Sequence, residues 1–168
     1  LSLQHYDARG TAHGWAWFFP WHRAYLMEFQ RLLRSIDPSI VIPYWDWAYD
    51  SQAPEMAPVW QSSWYGGSGR PGDSCVVDGQ FASYRPYYPE QRCLRRQWDG
   101  GDKIYAYYSP EALRQLISEP VAYDVFRERL EAVPHGQVHV SIGWDMLTMY
   151  SPNDAIFFLH HAFVDKLW

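Results

Sequence analysis

All seven histidines of this chain lie near its two ends, and none falls between Arg23 and Pro134. They form a group of three and a group of four: His5, His13 and His22, then His135, His139, His160 and His161. Neutral imidazole is the commonest metal ligand in proteins, and all-nitrogen sites suit copper, zinc, iron or nickel. The pattern predicts two metal ions side by side, so the fold must bring both ends of the chain together.

Length and charge narrow the class of protein. With 168 residues the chain is expected to form a single domain over 1–168. We also expect both ends to be trimmed, because Leu1 lies four residues before the first histidine and Trp168 seven after the last. The net charge of -5 argues against nucleic acid or an anionic membrane as a partner, and no apolar run approaches the length of a transmembrane helix.

The spacing within the second group limits what it can bind. His135 and His139 are four residues apart, so on one helix they share a face and can bind one ion. Zinc proteases use the same spacing but need Glu directly after the first histidine, where this chain has Gly136. His160 and His161 diverge by about 100° on a helix, so only one of them is expected to be a ligand. Spacing alone does not decide which.

In the first group, His22 lies on the apolar stripe of a helix predicted over 20–35. His13 is nine residues earlier and would lie on the opposite side of a continuous helix. The two rings can converge only if the chain bends between them, and we expect Pro20 to provide that break.

Three further helices are predicted. One begins at Ser109 and a second runs from about Val121 to Ala132, after which Pro134 is expected to interrupt the chain. The third covers 155–168 and is expected to begin with a capping box of Ser151 and Asp154 around Pro152.

Residues 50–103 read as a long loop rich in Gly, Pro, Ser and Tyr, with Gly66–Gly69 as its loosest part. The only two cysteines, Cys75 and Cys93, lie in this loop. A disulfide between them is favoured and would indicate a secreted or otherwise oxidising setting, although two unpaired thiols remain the alternative. Neither cysteine is near a histidine in the sequence, so neither is predicted to bind metal.

Two segments resemble the copper motifs of tyrosinases, catechol oxidases and molluscan haemocyanins. The segment 13–23, His-Gly-Trp-Ala-Trp-Phe-Phe-Pro-Trp-His-Arg, resembles the first motif, and 154–161 closed by Asp165 resembles the second. Segments 43–47 and 134–139 also look like parts of this family. The resemblance covers nearly the whole chain and implies a mainly α-helical, tyrosinase-like di-copper fold with a central four-helix bundle and long loops.

The resemblance also implies a set of ligands. Two copper ions bridged by dioxygen, peroxide or hydroxide would each be held by three imidazoles. The later member of the histidine pair is the ligand in this family, so His160 would be a neighbour of the site. The implied ligands are His5, His13 and His22 for one copper, and His135, His139 and His161 for the other.

The implied activity is a copper polyphenol oxidase that uses O2 to oxidise o-diphenols to o-quinones, with monophenol hydroxylation left open. Its partners would be O2 and a phenolic small molecule or tyrosyl group. The alternative within the family is an oxygen-binding unit like a haemocyanin. A third interpretation, from another class, is a metal-free or zinc-filled aromatic module that binds glycans or peptides through Trp and Tyr loops.

Five positions bear on specificity or depart from the family pattern. Gln30 stands where Glu is usual, and Thr11 stands where many relatives carry a Cys thioether-linked to histidine. Glu131 resembles a family glutamate that orients a water beside an Asn. Efficient monophenol hydroxylases often have that Asn directly after the first histidine of the second site, where this chain has Gly136. O-diphenol oxidation is therefore expected to exceed monophenol hydroxylation. Thr148 lies near the position at which family members place a gate residue over the site. An ordinary loop threonine explains it equally well.

Overall fold

Helices form most of the regular structure of the protein, whose computed structural model describes residues 1–168. The α-helices are α1 (Ser2–Asp7), α2 (Arg9–Ala12), α3 (Phe18–Arg34), α4 (Pro110–Ser118), α5 (Tyr123–Leu130), α6 (Gly136–Ile142) and α7 (Ile156–Leu167). The only β-type pairing is an isolated bridge between Cys75 and Arg95. The predicted mainly α class with long loops is confirmed. None of the helices is both long and apolar enough to span a membrane.

Helix α3 carries the first motif, but it begins two residues earlier than predicted. Pro20 lies in its first turn, where a missing N–H costs no hydrogen bond, so the expectation that Pro20 breaks the chain is wrong. The bend comes earlier, at Gly14, whose φ of +74° is accessible to glycine. His22 is buried as predicted, whereas Ile36 at the end of the apolar stripe is 85% exposed, beyond the helix.

The predicted interruption at Pro134 is also wrong. Helix α5 passes through a π-helical turn, Glu131–His135, directly into α6. Pro134 lies inside that turn, where the regular i→i−4 ladder is already interrupted and a residue without an N–H is tolerated. The wider turn keeps the chain helical up to the second group of histidines.

Helix α7 begins differently from the prediction, after a 3-10 turn at Ser151–Asn153. The Ser151 hydroxyl has no hydrogen-bond partner, so the expected capping box does not form. Asp154 instead accepts from the Ile156 N–H at 3.2 Å, while its carboxylate is bound by the Arg96 guanidinium at 2.6 and 2.8 Å. A buried arginine from the long loop therefore anchors the start of α7.

The long loop is held by specific contacts. Cys75 and Cys93 form the predicted disulfide, with their Cα atoms 5.6 Å apart. The glycine segment expected to be loosest is well held, because the carbonyls of Gly66 and Gly67 accept from Arg96 Nη1 at 2.7 and 3.1 Å. A Cβ at Gly66 would lie 2.3 Å from a backbone oxygen, so only glycine fits there.

Two buried ion pairs join this loop to the segments that carry histidines. Arg96 and Asp154 are both fully buried and meet at 2.6 Å, ahead of α7. Arg92 and Asp145 meet at 2.6 Å in the turn that follows α6, where Asp145 is fully buried. Together with the packing of α3 on α7, these pairs hold the two ends of the chain against one core.

Candidate metal centre

The fold brings all seven histidines together in two groups. Within each group the nitrogens that could bind a metal lie within 4.8 Å of one another. The members are His5, His13 and His22 in one group, and His135, His139, His160 and His161 in the other. All six predicted ligands therefore belong to these two groups, and His160 is the additional member of the second group.

The first group draws on three separate segments. His5 lies in α1 and His22 in α3, with ring centroids 5.6 Å apart. His13 follows α2 in an extended conformation, and its ring centroid is 5.0 Å from each of the other two. The next residue, Gly14, donates its N–H to Glu131 Oε1 at 2.6 Å, which pins the His13 segment to the element that carries the second group.

The second group is built on the π turn, α6 and α7. His135 and His139 share a face as predicted, with ring centroids 4.7 Å apart. His161 lies 5.0 Å from His135, and its Nε2 is 3.3 Å from that of His139. His160 is at a similar distance, 5.2 Å from His135. Distance alone therefore leaves open which member of the pair is the ligand.

Backbone carbonyls orient four of the rings through Nδ1. The acceptors are Phe18 for His22 at 2.7 Å, Glu131 for His135 at 2.9 Å, Met149 for His5 at 2.8 Å and Met146 for His139 at 2.6 Å. Such a bond fixes the tautomer and leaves Nε2 as the free donor atom, as second-shell partners do at metal sites. The Nε2 atoms of His5, His22 and His135 are indeed buried without a hydrogen-bond partner. Buried polar atoms are rarely left unpaired, so these nitrogens fit a metal ion.

Burial keeps the rings neutral. Desolvation, with a smaller contribution from neighbouring imidazoles, lowers the pKa of His5 and of His139 to about 4. Desolvation also lowers the pKa of His13, and it takes the pKa well below the usual value for His22, His135, His160 and His161. At neutral pH each ring therefore keeps a lone pair available to a metal ion.

Two fully buried phenylalanines lie against both groups. Phe157 has its ring centroid 5.1 Å from His5 in one group and 4.2 Å from His161 in the other. Phe18 bridges the groups in the same way, 4.8 Å from a ring in each. These apolar rings exclude water from one side of the centre, where it would compete for the nitrogens.

Burial differs among the seven histidines. One residue in each group, His13 and His139, is only partly buried, whereas the other five are buried. Each group therefore has one member that is not fully withdrawn from solvent.

Glu131 and Gly136 flank His135. Both oxygens of the Glu131 carboxylate are engaged, Oε1 by the Gly14 N–H and Oε2 by Arg127 Nη1 at 2.7 Å. Gly136 is the first residue of α6, and a Cβ there would lie 3.5 Å from the Glu131 carbonyl oxygen, an ordinary contact. The site therefore has room for a Cβ at 136.

Thr148 is exposed in the turn after α6. Its hydroxyl donates to the Asp145 carbonyl at 2.9 Å and accepts from the Tyr150 N–H at 3.0 Å, so it stabilises the turn. The surface groove beside it is lined by Trp98 and its neighbours in the long loop, by Val140 of α6 and by the turn after α6, and by none of the histidines. A role as a gate stays a prediction.

Sequence reasoning missed several residues that support the centre. Asp145, Arg92 and Arg96 form the buried ion pairs, but their partners are 53 and 58 residues away in the chain and no local pattern reveals them. Gln30, noted in the sequence only because Glu is usual there, accepts from the Ile42 N–H at 3.1 Å and ties α3 to the chain just before residues 43–47.

Comparison with known proteins agrees with this geometry. Over residues 1–168 the chain matches the family described as the common central domain of tyrosinase. It is 38% identical to a tyrosinase of Streptomyces glaucescens over 94% of this chain and 63% of that protein. It is 32% identical to grixazone synthase of Streptomyces griseus over 90% of this chain and 63% of that protein. It is also 34% identical to a tyrosinase-like protein of Diaporthe leptostromiformis, over 98% of this chain and 50% of that protein.

The chain thus spans about 63% of the length of its bacterial relatives. Nothing in these comparisons favours the oxygen-carrier alternative. The match of the full chain, with both groups of histidines in place, shows that this protein belongs to the tyrosinase family.

Proposed function

We propose that this chain is the catalytic domain of a copper polyphenol oxidase that uses O2 to oxidise o-diphenols to o-quinones. The observation that carries the proposal is the pair of adjoining histidine groups with neutral rings and unpaired, buried Nε2 atoms. The proposed ligands are His5, His13 and His22 for one copper, and His135, His139 and His161 for the other. The names of the relatives, tyrosinases among them, point to the same chemistry.

Bound copper would supply the four-electron reduction of O2 to water, coupled to the two-electron oxidation of two o-diphenols to o-quinones. The chain's own part is to hold the ligand rings in one tautomer through backbone carbonyls and to exclude water with Phe18 and Phe157. The phenol approaches from the side on which His13 and His139 are partly exposed.

We further propose that o-diphenols are better substrates than monophenols. A monophenol must lose its proton at the site, and the Glu131 carboxylate is already engaged by Gly14 and Arg127. Gly136 offers no side-chain amide to hold a water beside it. An o-diphenol needs less help with deprotonation, so its oxidation is affected less.

The substrate is a phenolic small molecule or an accessible tyrosyl group, with O2 as co-substrate. The Cys75–Cys93 disulfide supports a secreted or otherwise oxidising location, because such bonds persist where thiols are not kept reduced. The acidic net charge of -5 gives no support to nucleic acid or an anionic membrane as a partner.

Copper stoichiometry combined with oxygen uptake tests the proposal. The purified protein, loaded with copper and dialysed, should hold two copper ions per chain and consume O2 when a catechol is added. His22→Ala should lose one copper and the oxygen uptake, because His22 is proposed as a ligand. A copper-loaded chain that consumes no O2 with catechol, or a chain that retains no copper, would contradict the proposal.

A further inference from the structure

Asp145 is the most heavily bonded carboxylate near the metal centre, although it touches no histidine. It is fully buried, and Arg92 binds both of its oxygens, at 2.6 and 2.8 Å. The Arg95 N–H donates to Oδ2 at 2.9 Å and Asn153 Nδ2 to Oδ1 at 3.2 Å. Such a two-point, charge-assisted pair fixes both position and orientation. The carboxylate therefore holds its backbone in one place.

That backbone carries the carbonyls that orient one histidine of each group. Asp145 lies in the 3-10 turn Trp144–Leu147. The Met146 carbonyl accepts from His139 Nδ1 at 2.6 Å, and the Met149 carbonyl, three residues later, accepts from His5 Nδ1 at 2.8 Å. The segment 146–149, which begins in this turn, thus orients a ring in each group.

The other two oriented rings are held in a different way. His22 donates to Phe18 and His135 to Glu131, each four residues earlier in its own helical stretch. Their orientation depends on local helix geometry and not on the turn. They provide an internal control for any change in the turn.

The turn does not adopt its conformation from local preference. Trp144 has a φ of +42°, in the left-handed region that non-glycine residues rarely adopt. Gly143 before it has a φ of +72°, and a Cβ there would lie 2.5 Å from the Gln97 carbonyl oxygen. A conformation of this kind persists only when surrounding contacts impose it. The bonds to the Asp145 carboxylate are the strongest of those contacts.

We propose that Asp145 is a positioning residue for both groups of histidines at once. By fixing the segment 146–149 it holds the carbonyls that set the tautomer and direction of His5 and His139. Its importance for copper binding rests on the proposed function, but the orientation of the rings is a property of the metal-free chain and can be measured there.

The test is the tautomeric state of each histidine in Asp145→Asn, measured by long-range 1H–15N NMR on the metal-free protein at pH 7.5. In the unaltered protein, His5, His22, His135 and His139 should all carry the proton on Nδ1. In the variant, His5 and His139 should lose this single tautomer while His22 and His135 keep it. Four unchanged rings, or four rings altered together, would overturn the proposal.

Arg92→Lys serves if Asp145→Asn does not fold. It keeps the charge but cannot bind both carboxylate oxygens, so the same two rings should change, to a smaller extent; no selective change at those rings in this variant overturns the proposal. Asp73→Asn is the matched control, because Asp73 also pairs with an arginine in the long loop, Arg70, but on the surface. It should alter none of the four rings.

Copper affinity provides the second readout. Asp145→Asn should weaken copper binding by about tenfold, the lower end of the effect of removing outer-shell partners, and Asp73→Asn should leave it unchanged. If the unaltered protein binds no copper, the proposed function fails, while the tautomers of His5 and His139 still decide the role of Asp145.

Discussion

The imidazole of His22 stacks on that of His161, with ring centroids 4.3 Å apart and planes within 5° of parallel. His22 comes from α3 and His161 from α7, so this contact is where the two histidine groups meet. His161 is therefore in contact with both groups. The ring of His160 instead lies beside Trp47, with ring centroids 6.2 Å apart.

Replacing each member of the pair by leucine should separate their roles. His161→Leu removes a proposed ligand and should lose one copper and the oxygen uptake. His160→Leu should keep two coppers, because His161, and not His160, stacks on His22 where the two groups meet. Elemental analysis after dialysis is the measurement. Loss of copper in His160→Leu alone would assign the ligand to His160 instead.

Phe157 should matter for the centre beyond its share of the core. Phe157→Leu opens space beside His5 and His161, so water should enter and the coupling between the two coppers should weaken. The neighbouring Phe158 stacks on Phe29 and contacts no histidine ring, which makes Phe158→Leu the matched control. Both variants should lose stability, about 1–2 kcal/mol. Only Phe157→Leu should give a larger copper(II) EPR signal, and equal signals would contradict the role of Phe157.

The Arg96–Asp154 pair should dominate the electrostatic stability of the fold. Asp154→Asn leaves the fully buried Arg96 guanidinium without its counter-charge, which should lower the free energy of unfolding by about 3–5 kcal/mol. Denaturant unfolding measures this change. Glu28→Gln, which breaks an exposed pair with Arg31, should have little effect. A similarly small effect in Asp154→Asn would show that the buried pair is not needed.

Local pattern was sufficient to find the histidine groups and the helices that carry His22 and His161. The four-residue spacing of His135 and His139 and the apolar stripe around His22 are properties of a single helix, so they can be read without knowing the fold. The mainly helical class and the disulfide were also predicted correctly.

Contacts between distant segments could not be found in this way. The pairing of Arg92 with Asp145 joins residues 53 positions apart, and nothing in their local sequence sets them apart from surface residues. Pro134 was misread because a proline normally ends a helix, and a π turn that accommodates it leaves no clear sequence signal. The prediction that Asp154 completes a capping box is wrong because its carboxylate pairs with buried Arg96. That partner lies in the long loop, far from Asp154 in the sequence.

The metal-free protein should lose stability as the pH falls from 6.5 to 4. The pKa of His5 is about 4 in the folded chain and near 6.5 in the unfolded one, so over this range the unfolded chain binds a proton that the folded chain excludes. The free energy of unfolding therefore decreases as the pH is lowered, by about 3 kcal/mol for such a ring. His139 should contribute in the same direction, since its pKa is also about 4.

Thermal unfolding of the chelated protein between pH 7.5 and 4.5 measures this loss. His5→Leu should flatten the dependence, because the proton uptake by one unfolded ring is removed. An unfolding temperature that stays constant between pH 6.5 and 4.5 would show that the rings are not held neutral.

Gly136→Asn should raise monophenol hydroxylation relative to diphenol oxidation. The backbone at 136 has φ of -61° and ψ of -34°, which any residue adopts, and a Cβ there makes only an ordinary contact. An amide at this position would lie next to His135 and could hold a water for deprotonation of the phenol.

The measurement is the initial rate on tyrosine and on a catechol, without a priming diphenol. The unaltered protein should be faster on the catechol and show a lag on tyrosine, and the variant should shorten that lag. Gly136→Ala is the control, since it adds the Cβ without the amide and should leave the ratio of rates unchanged. Tyrosine oxidised faster than catechol by the unaltered protein would contradict the assigned role of Gly136.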